Sequence, residues 1–335
     1  MSRYSRQELF EPIGPQGQAR IRASRVLLVG CGALGTHLAE FCVRAGIGEL
    51  RIVDRDFVEE SNLQRQSLFS EEDARSALPK AVAARIALQR VNSDVKLFAH
   101  VEDFNFRNAT KLSEGATLVL DGTDNFETRF LVNDLAVRQG IPWVYAGCVG
   151  SRATCMPVIP GRSACLRCML EEQPPTGGET CDTTGVIMPA VMQAVAWASV
   201  VALKIMSGNE GALFKKMYSS DLWTGDRQVL DAATPRPDCP CCAKREFPWL
   251  EGKRAVSATT LCGRNSVQLA PPERFDWVAG RNSVARGARV TAENDYLLRA
   301  NSDKLTITLY RNGRALVHGT EDPSIARALY SRLIG

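Results

Sequence analysis

The sequence has few histidines, little net charge and no apolar stretch at its start. Only three of its 335 residues are histidine, and these lie far apart, so no group of His, Lys and Tyr suits hydride transfer. The net charge of +4 balances 41 basic against 37 acidic residues, which is too even to indicate nucleic-acid binding. Residues 1–12 show no apolar run and no cleavage signature, so we expect a cytoplasmic protein.

Long hydrophobic runs are also scarce. The longest, residues 186–203, is interrupted by Pro189, Gln193 and Ser199 and lacks aromatic and basic flanks on both sides. This pattern favours a buried core helix or a dimer-interface helix over a membrane span, so no membrane contact is expected.

Cysteine, in contrast, is plentiful. There are eleven cysteines in a chain without a secretion signal, and this combination does not predict a disulfide framework. In a reducing compartment, paired cysteines more often bind a metal or carry redox chemistry.

Residues 26–149 alternate between two patterns. Short β-branched runs at 26–29, 50–53, 95–101, 117–121 and 143–147 are separated by helical patterns at 33–45, 80–91 and 128–138. Strand–helix alternation predicts an α/β fold, a Rossmann-like, mostly parallel sheet with helices on both faces. Ligands of such sheets lie beyond the carboxyl ends of the strands.

The second half of the chain has a different organisation. Residues 153–159 and about 213–231 are expected to be antiparallel strands that extend the sheet around a long helix at 186–206. Residues 171–185 are rich in Pro, Gly and Thr and predict a mobile loop. We place a boundary near residue 250, with a large domain at 1–250 and a small α+β accessory domain at 251–335.

The small domain has its own strand pattern. Candidate strands lie at 260–269, 295–300, 304–310 and 314–319, and a final helix is expected at 323–333. Asn312-Gly313 predicts a hairpin turn between the last two strands.

A glycine-rich loop, Gly30 to Gly35 (GCGALG), follows the first strand and opens a helix. Glycines allow the backbone to approach a phosphate, and the helix N-terminus attracts negative charge. The motif alone is weak, but the second strand ends in Asp54, an acid that can accept hydrogen bonds from ribose hydroxyls. The combination predicts a nucleotide site.

Three further charged residues decide between nucleotides. Arg65, Lys80 and Asp124 follow strand ends or begin a helix, so they are expected at the same edge of the sheet as the glycine loop. Two cations and a carboxylate suit a triphosphate with Mg²⁺ better than a nicotinamide. An NAD-dependent oxidoreductase is the alternative, and tight NAD(H) binding would identify it.

Two C-x-x-C pairs, Cys165 with Cys168 and Cys239 with Cys242, lie in turn-like contexts about 70 residues apart. Four thiolates form a closed tetrahedral zinc site, so we expect structural Zn²⁺ that joins distant segments. A redox dithiol is the alternative, and the spacing does not decide whether Cys241 participates.

Cys181 lies alone in the 171–185 loop, just before the long helix. A thiol near a helix N-terminus can have a lowered pKa and act as a nucleophile. An inert cysteine is an equally good interpretation of this residue.

Taken in order, these motifs resemble those of the ThiF/MoeB/HesA adenylyltransferases, the bacterial relatives of ubiquitin-activating enzymes. The resemblance covers residues 3–250. Its motifs are Arg3-Tyr4-Ser5-Arg6-Gln7, the glycine loop, Asp54-x-Asp56, Asn62 to Gln66, Pro79-Lys80, Thr123-Asp124-Asn125, both cysteine pairs, Thr180-Cys181 and Gly185-Val186 with Pro189. The segment from Arg65 to Lys80 is slightly longer than in the MoeB-like pattern.

The resemblance implies an enzyme that binds ATP and Mg²⁺. Asp54 would bind the ribose and Asp124 the Mg²⁺, and Asn62 would support the phosphate end. The implied ATP-binding set is Gly30, Gly32, Ala33, Gly35, Asp54, Asp56, Asn62, Arg65, Lys80 and Asp124. The implied catalytic set is Arg65, Lys80, Asp124, Cys181 and Arg6, with Arg6 reaching the ATP of the partner subunit in a homodimer.

The resemblance further implies a protein substrate. ATP would adenylate the C-terminal Gly-Gly carboxylate of a ubiquitin-like sulfur carrier of the ThiS/MoaD type, for thiamine, molybdopterin or related biosynthesis, with a cysteine desulfurase as sulfur donor. Two alternatives remain open, a ubiquitin-like conjugation system with a Cys181 thioester and a non-catalytic binding module. The carrier's identity and the role of residues 251–335 are not evident from the sequence.

Overall fold

The computed structural model describes residues 3–170, 181–254, 259–261, 265–272 and 274–334. The helices are α1 Ser5–Glu8, α2 Gly14–Ala23, α3 Ala33–Ala45, α4 Glu71–Arg75, α5 Lys80–Val91, α6 Ala109–Leu112, α7 Phe126–Gln139, α8 Leu166–Met169, α9 Cys181–Thr184, α10 Met188–Ser207, α11 Trp277–Gly287 and α12 Pro323–Ile334. Short 3-10 helices occur at Glu60–Asn62 and Glu210–Ala212.

The strands alternate with the helices in the first half and cluster near the end. They are β1 Arg25–Val29, β2 Glu49–Val53, β3 Lys96–His100, β4 Leu118–Asp121, β5 Trp143–Val149, β6 Arg152–Val158, β7 Lys216–Asp221, β8 Arg227–Asp231, β9 Thr259–Leu261, β10 Ser266–Leu269, β11 Arg289–Glu293, β12 Leu297–Ser302, β13 Leu305–Tyr310 and β14 Ala315–His318.

The larger sheet has eight strands in the order β3-β2-β1-β4-β5-β6-β7-β8. The strands from β3 to β5 pair in parallel, and β6, β7 and β8 continue the sheet with antiparallel pairing. The predicted α/β fold with an antiparallel extension is therefore confirmed. Strand β1 lies between β2 and β4, so the connections that lead to β2 and to β4 run to opposite sides of β1. Such a reversal of strand order creates a crevice at the carboxyl ends of these strands.

Local sequence explains where the helices next to that crevice end. Helix α3 ends at Gly46 and α7 at Gly140, both in the left-handed conformation that glycine adopts without strain. Asn125 caps α7, since its side-chain oxygen accepts a hydrogen bond from the Thr128 amide at 2.9 Å. The Asn125 cap fixes the start of α7 shortly after the end of β4.

Helix α10 packs against β5, β6, α2 and α3. Of the described residues, it forms the one helix long and apolar enough to cross a membrane, which is weak evidence because core helices of globular proteins pass the same test. Its inner side is buried at residues such as Val191, Ala194 and Ala198, whereas Met192 and Val200 are exposed. The prediction of a helix that packs in the core agrees with this arrangement.

The chain divides into two compact units. The first contains residues 1–70 and 79–254, and the second contains residues 71–78 and 255–335. In the second unit, an antiparallel sheet with the order β11-β12-β13-β14-β10-β9 packs its apolar side chains against α11 and α12. The inclusion of residues 71–78 was not anticipated from the sequence.

Some local predictions were wrong. Residues 260–269 were expected to form one strand, but β9 and β10 are two antiparallel strands. Helix α11 and strand β11 were not predicted, since their apolar periodicity is short. The predicted hairpin at Asn312-Gly313 is present between β13 and β14, with Gly313 at φ +86°.

The predicted 171–185 loop can be judged only in part. Residues 171–180 lie outside the described residues, and Cys181–Thr184 forms a short helix where a loop was expected.

Candidate active site and metal centre

The glycine loop closes tightly against the end of β4. A Cβ atom at Gly30 would lie 2.6 Å from the carbonyl oxygen of Gly122, and one at Gly35 would overlap the carbonyl oxygen of Gly30. Only residues without a side chain permit this approach of β1, α3 and β4. Gly30 also has φ +86°, a conformation that favours glycine. The loop therefore presents backbone, not side chains, at the N-terminus of α3.

Gly32 and Ala33 complete this loop at the start of α3. Gly32 is the residue before the first helical position, and Ala33 begins the helix. A Cβ atom at Gly32 would have Gln66 as its nearest neighbour, at 3.8 Å, so the 62–66 segment lies beside the loop.

Asp54 connects the loop to the end of β2. Its Oδ2 accepts a hydrogen bond from the Cys31 amide at 2.6 Å, and its Oδ1 accepts one from the Asp56 amide at 2.7 Å. Burial raises the pKa of Asp54; the positive charge of Lys80 opposes this shift, and the negative charge of Asp56 adds to it. The structure thus brings the loop, Asp54, Asp56 and Lys80 together.

Lys80 is the most buried cation of this group, at 6% exposure. Its Nζ lies 3.4 Å from Asp56 Oδ2, and its amide donates to the Asp56 carbonyl at 2.9 Å. Lys80 is the first residue of α5, so these two contacts join the start of α5 to the segment just after β2. A buried lysine of this kind is positioned to neutralise negative charge that enters the crevice.

Asn62 and Arg65 belong to the 62–66 segment that lies beside the loop. Asn62 is buried and accepts a hydrogen bond from the Glu59 amide with its side-chain oxygen, at 3.1 Å. Arg65 is half-buried, and its guanidinium donates to the Ser61 carbonyl at 2.9 Å. The guanidinium therefore folds back on its own turn, with one of its five N–H donors committed to Ser61.

Asp124 follows β4 and is exposed at the same edge of the sheet. The neighbouring backbone of Gly122 and Thr123 lies against Gly30, which places Asp124 next to the glycine loop. The Asn125 side-chain amide donates to Asp124 Oδ1 at 3.4 Å. An exposed carboxylate beside a phosphate site has the chemistry that Mg²⁺ binding requires.

Two predicted residues are not joined to this set. Arg6 lies exposed on α1, and no hydrogen bond or ion pair among the described residues links its side chain to the loop. Cys181 begins α9, and its side chain lies outside what the structure describes.

Sequence reasoning missed Arg129, which is buried one turn inside α7. Its Nε lies 3.1 Å from Asp121 Oδ2, and its Nη2 donates to the Thr123 carbonyl at 2.7 Å. Burial raises the pKa of Asp121, and Arg129 opposes this shift. The pair fixes the backbone that leads to Asp124. No sequence signal singles out Arg129, because α7 carries several other polar residues.

The four predicted zinc ligands come together as one cluster. The Sγ atoms of Cys165, Cys168, Cys239 and Cys242 all lie within 4.8 Å of one another. Neighbouring Sγ pairs are separated by 3.4 to 3.9 Å. Four sulfur atoms at these distances, with no fifth group in the set, fit a closed tetrahedral Zn²⁺ site.

Cys241 is not a member of the cluster. Its thiol donates to Asp134 Oδ1 at 3.5 Å and accepts from the Asn133 amide at 3.2 Å. Asn133 also accepts a hydrogen bond from the Leu166 amide at 2.8 Å, so α7 holds both cysteine pairs. Asn133 and Asp134 thus form a polar layer around the cysteine pairs. Sequence reasoning also missed this layer.

Comparisons with known proteins agree with this arrangement. The ThiF family model matches residues 4–241. The chain is 44% identical to the sulfur carrier protein ThiS adenylyltransferase of Bacillus subtilis over 99% of both chains. It is 36% identical to the sulfur carrier protein adenylyltransferase of Thermus thermophilus, over 72% of this chain and 90% of that one.

Solved structures show the same fold. The crystal structure of Escherichia coli MccB matches with a TM-score of 0.64 and 23% identity, covering 73% of each chain. With a family model that spans well over half of its residues and a relative of this identity along nearly its whole length, the chain belongs to the ThiF family.

Proposed function

We propose that this protein uses ATP to adenylate the C-terminal Gly-Gly carboxylate of a ubiquitin-like sulfur-carrier protein. The observation that carries the proposal is the convergence of the glycine loop, Asp54, Lys80 and Asp124 at one edge of the sheet. The 44% identical ThiS adenylyltransferase supports it over the full length of the chain. Family membership leaves the NAD-dependent oxidoreductase without support.

Each part of the edge suits one part of ATP. Asp54 accepts hydrogen bonds from the ribose hydroxyls, and the loop amides with the α3 N-terminus bind phosphate oxygens. Lys80 and Arg65 neutralise the phosphates, and Asn62 holds the turn that carries Arg65. Asp124 would hold Mg²⁺, which would supply further neutralisation of the triphosphate.

The chemistry needs no general base. A terminal carboxylate is ionised at neutral pH and is already a nucleophile, so it attacks the α-phosphorus and forms a new O–P bond. The bond from the α-phosphorus to the bridging oxygen breaks, and pyrophosphate leaves with its electron pair. The barrier comes from bringing an anion to a polyanion, so Lys80 and Arg65 act by position and charge.

The exposed side of α10 supports a homodimer. Pro189, Met192, Ala196 and Val200 are spaced three or four residues apart and are all exposed, so they form one apolar stripe. In a homodimer, Arg6 of one subunit would serve the ATP of the other. Mixing Arg6→Ala with Lys80→Ala subunits should restore up to about a quarter of the wild-type activity if sites are shared, and none if they are not.

The cysteine cluster would bind structural Zn²⁺. Its four thiolates leave no open position, so it would stabilise the fold and take no part in the reaction. Reduced thiolates also fit the expected cytoplasmic location. A cysteine desulfurase as sulfur donor stays a prediction from the family resemblance.

The decisive experiment is carrier-dependent exchange of labelled pyrophosphate into ATP. A purified ubiquitin-like carrier that ends in Gly-Gly should stimulate exchange and appear as an acyl-adenylate by mass spectrometry. The matched control is the same carrier without its last glycine. Equal exchange with both carriers, or no exchange with a panel of Gly-Gly carriers, would refute the proposal.

The same reaction tests Cys181. A thiol-sensitive carrier adduct that disappears in Cys181→Ser, with adenylation retained, would indicate a thioester at Cys181, formed as AMP leaves, and favour the conjugation alternative. Without such an adduct, the enzyme releases the adenylate and forms no thioester at Cys181; an acyl disulfide would need a sulfur donor, which this reaction does not contain.

A further inference from the structure

The segment 71–78 separates, along the sequence, two residues of the proposed phosphate site. It lies in the sequence between Arg65 and Lys80, yet it belongs to the second compact unit together with residues 255–335. Helix α4, Glu71–Arg75, forms most of it, and Pro79 returns the chain to the first unit. The backbone that joins the two cations of the proposed phosphate site therefore passes through the second unit.

This segment cannot hold its conformation alone. A five-residue helix is far below the length at which isolated helices are stable in water. Ala77, which is buried, has φ +48°, a left-handed conformation that is strained for a non-glycine residue. The turn closes with a hydrogen bond from the Leu78 amide to the Asp73 carbonyl at 2.9 Å. Such a turn persists only where other groups fix it.

Asn294 supplies that fixation. Its side-chain amide donates to the Ser76 carbonyl at 2.9 Å and to the Ala77 carbonyl at 3.1 Å. These carbonyls follow the end of α4, where helix geometry leaves acceptors without intrahelical partners. Asn294 belongs to the same compact unit, so one side chain caps the helix from within its own unit.

The side-chain oxygen of Asn294 is also hydrogen-bonded. Its Oδ1 accepts hydrogen bonds from the amides of Tyr296 and Leu297, at 2.9 and 3.1 Å. These bonds form the turn between β11 and β12, so the amide group is oriented by the sheet. The Asn294 side-chain NH₂ group thus caps α4, and its oxygen forms the turn between β11 and β12. A substitution can remove the first function and keep the second.

Beyond Ala77, the chain reaches the site in a few residues. Pro79 pairs with Phe57, and the Lys80 amide donates to the Asp56 carbonyl. We propose that Asn294 is a positioning residue for the adenylation reaction, which holds α4 and so fixes the backbone that carries Lys80 and Arg65. The proposal rests on the phosphate-binding role proposed for Lys80. Through the chain that links the two units, a residue of the second unit would affect ATP binding in the first.

Asn294→Asp tests this with minimal disturbance. The carboxylate keeps the acceptor for the turn between β11 and β12 but replaces the donor with an oxygen that repels the Ser76 and Ala77 carbonyls. The matched control is Asn301→Asp in β12, where the side-chain oxygen accepts only from the Thr306 hydroxyl. Asn294→Ser, too short to reach the α4 carbonyls, replaces the Asp variant if that protein does not fold.

We expect Asn294→Asp to raise the KM for ATP in pyrophosphate exchange about tenfold with a smaller change in kcat. Hydrogen exchange at the Ala77 and Leu78 amides should accelerate at the same time, and Asn301→Asp should change neither quantity. Faster hydrogen exchange at these amides with an unchanged KM for ATP would overturn the positioning role. Unchanged hydrogen exchange would overturn the capping role of Asn294. If Asn294→Asp has wild-type kinetics while Lys80→Ala is inactive, only this inference fails; if the wild type lacks carrier-dependent exchange, the proposed function fails.

Discussion

The glycine-loop edge and the cysteine cluster both gather residues from distant parts of the chain, but different forces hold them. At the edge, backbone packs on backbone at Gly30, Gly35 and Gly122, and charged side chains lie above it. In the cluster, four sulfur atoms face one another and leave no space for a substrate. The edge is therefore shaped by the fold and open to a ligand, whereas the cluster is closed and would itself shape the fold.

Helix α7 connects the two regions. Its first turn carries Arg129, which fixes the backbone before Asp124, and its middle carries Asn133 and Asp134, which hold the cysteine pairs. A disturbance of the cluster can thus reach the edge through one rigid element. The comparison predicts that edge substitutions change activity alone, while cluster substitutions change stability first and activity as a consequence.

The largest effect is expected from Lys80→Ala at the edge. Loss of a buried cation from a polyanion site should lower pyrophosphate exchange about a thousandfold. The metal content of the cysteine cluster and the far-UV circular dichroism should stay at wild-type values. Lys111→Ala, an exposed lysine at the end of α6, is the matched control and should keep full activity. Full exchange by Lys80→Ala would remove Lys80 from the site.

The next largest effect is expected from Cys239→Ser in the cluster. Loss of one thiolate ligand should release Zn²⁺ and lower the free energy of unfolding by about 3 kcal/mol or more. Urea denaturation with a zinc-release assay measures both, and Cys155→Ser, a buried thiol outside the cluster, controls for loss of a core sulfur. A protein that loses activity without losing zinc or stability would contradict the division between edge and cluster.

The sequence predicted the helix boundaries at the edge, because their determinants are local. The boundaries of α3 and α5 were predicted to the residue, since Gly46 ends one helix and Pro79 precedes the other. The cysteine pairs were found because C-x-x-C spacing is itself a ligand geometry. In both cases a short motif contains the physical constraint.

The rest depended on contacts between residues far apart in sequence. Arg129 and Asp134 look like ordinary polar residues of an amphipathic helix until the fold buries them. The link between Asn294 and α4 joins positions 217 and 218 residues apart, and no periodicity encodes it. The role of Arg6 stays a prediction, because it depends on a second subunit.

The smallest expected effect concerns pH and the layer that joins cluster and edge. Burial raises the pKa of Asp134 to about 6, although hydrogen bonds from the Trp249 amide and the Cys241 thiol oppose the shift. A carboxyl with a raised pKa in the folded state stabilises the protein while protonated, and this contribution is lost as the pH rises through about 6. Between pH 5 and pH 7 the loss from this one group is about 1 kcal/mol.

Comparing Asp134→Asn with the wild type isolates the contribution of Asp134 to the pH dependence of the unfolding free energy. The four cluster thiols are present in both proteins, so their contribution cancels in the difference. The neutral amide mimics the protonated acid at every pH, so the difference in unfolding free energy between variant and wild type should move by about 1 kcal/mol in the variant's favour from pH 5 to pH 7. Asp94→Asn, at an exposed position in the turn between α5 and β3, should show no such drift. A flat difference for Asp134→Asn would mean that Asp134 is already ionised at pH 5, and the polar layer on α7 would then hold the cysteine pairs by charge.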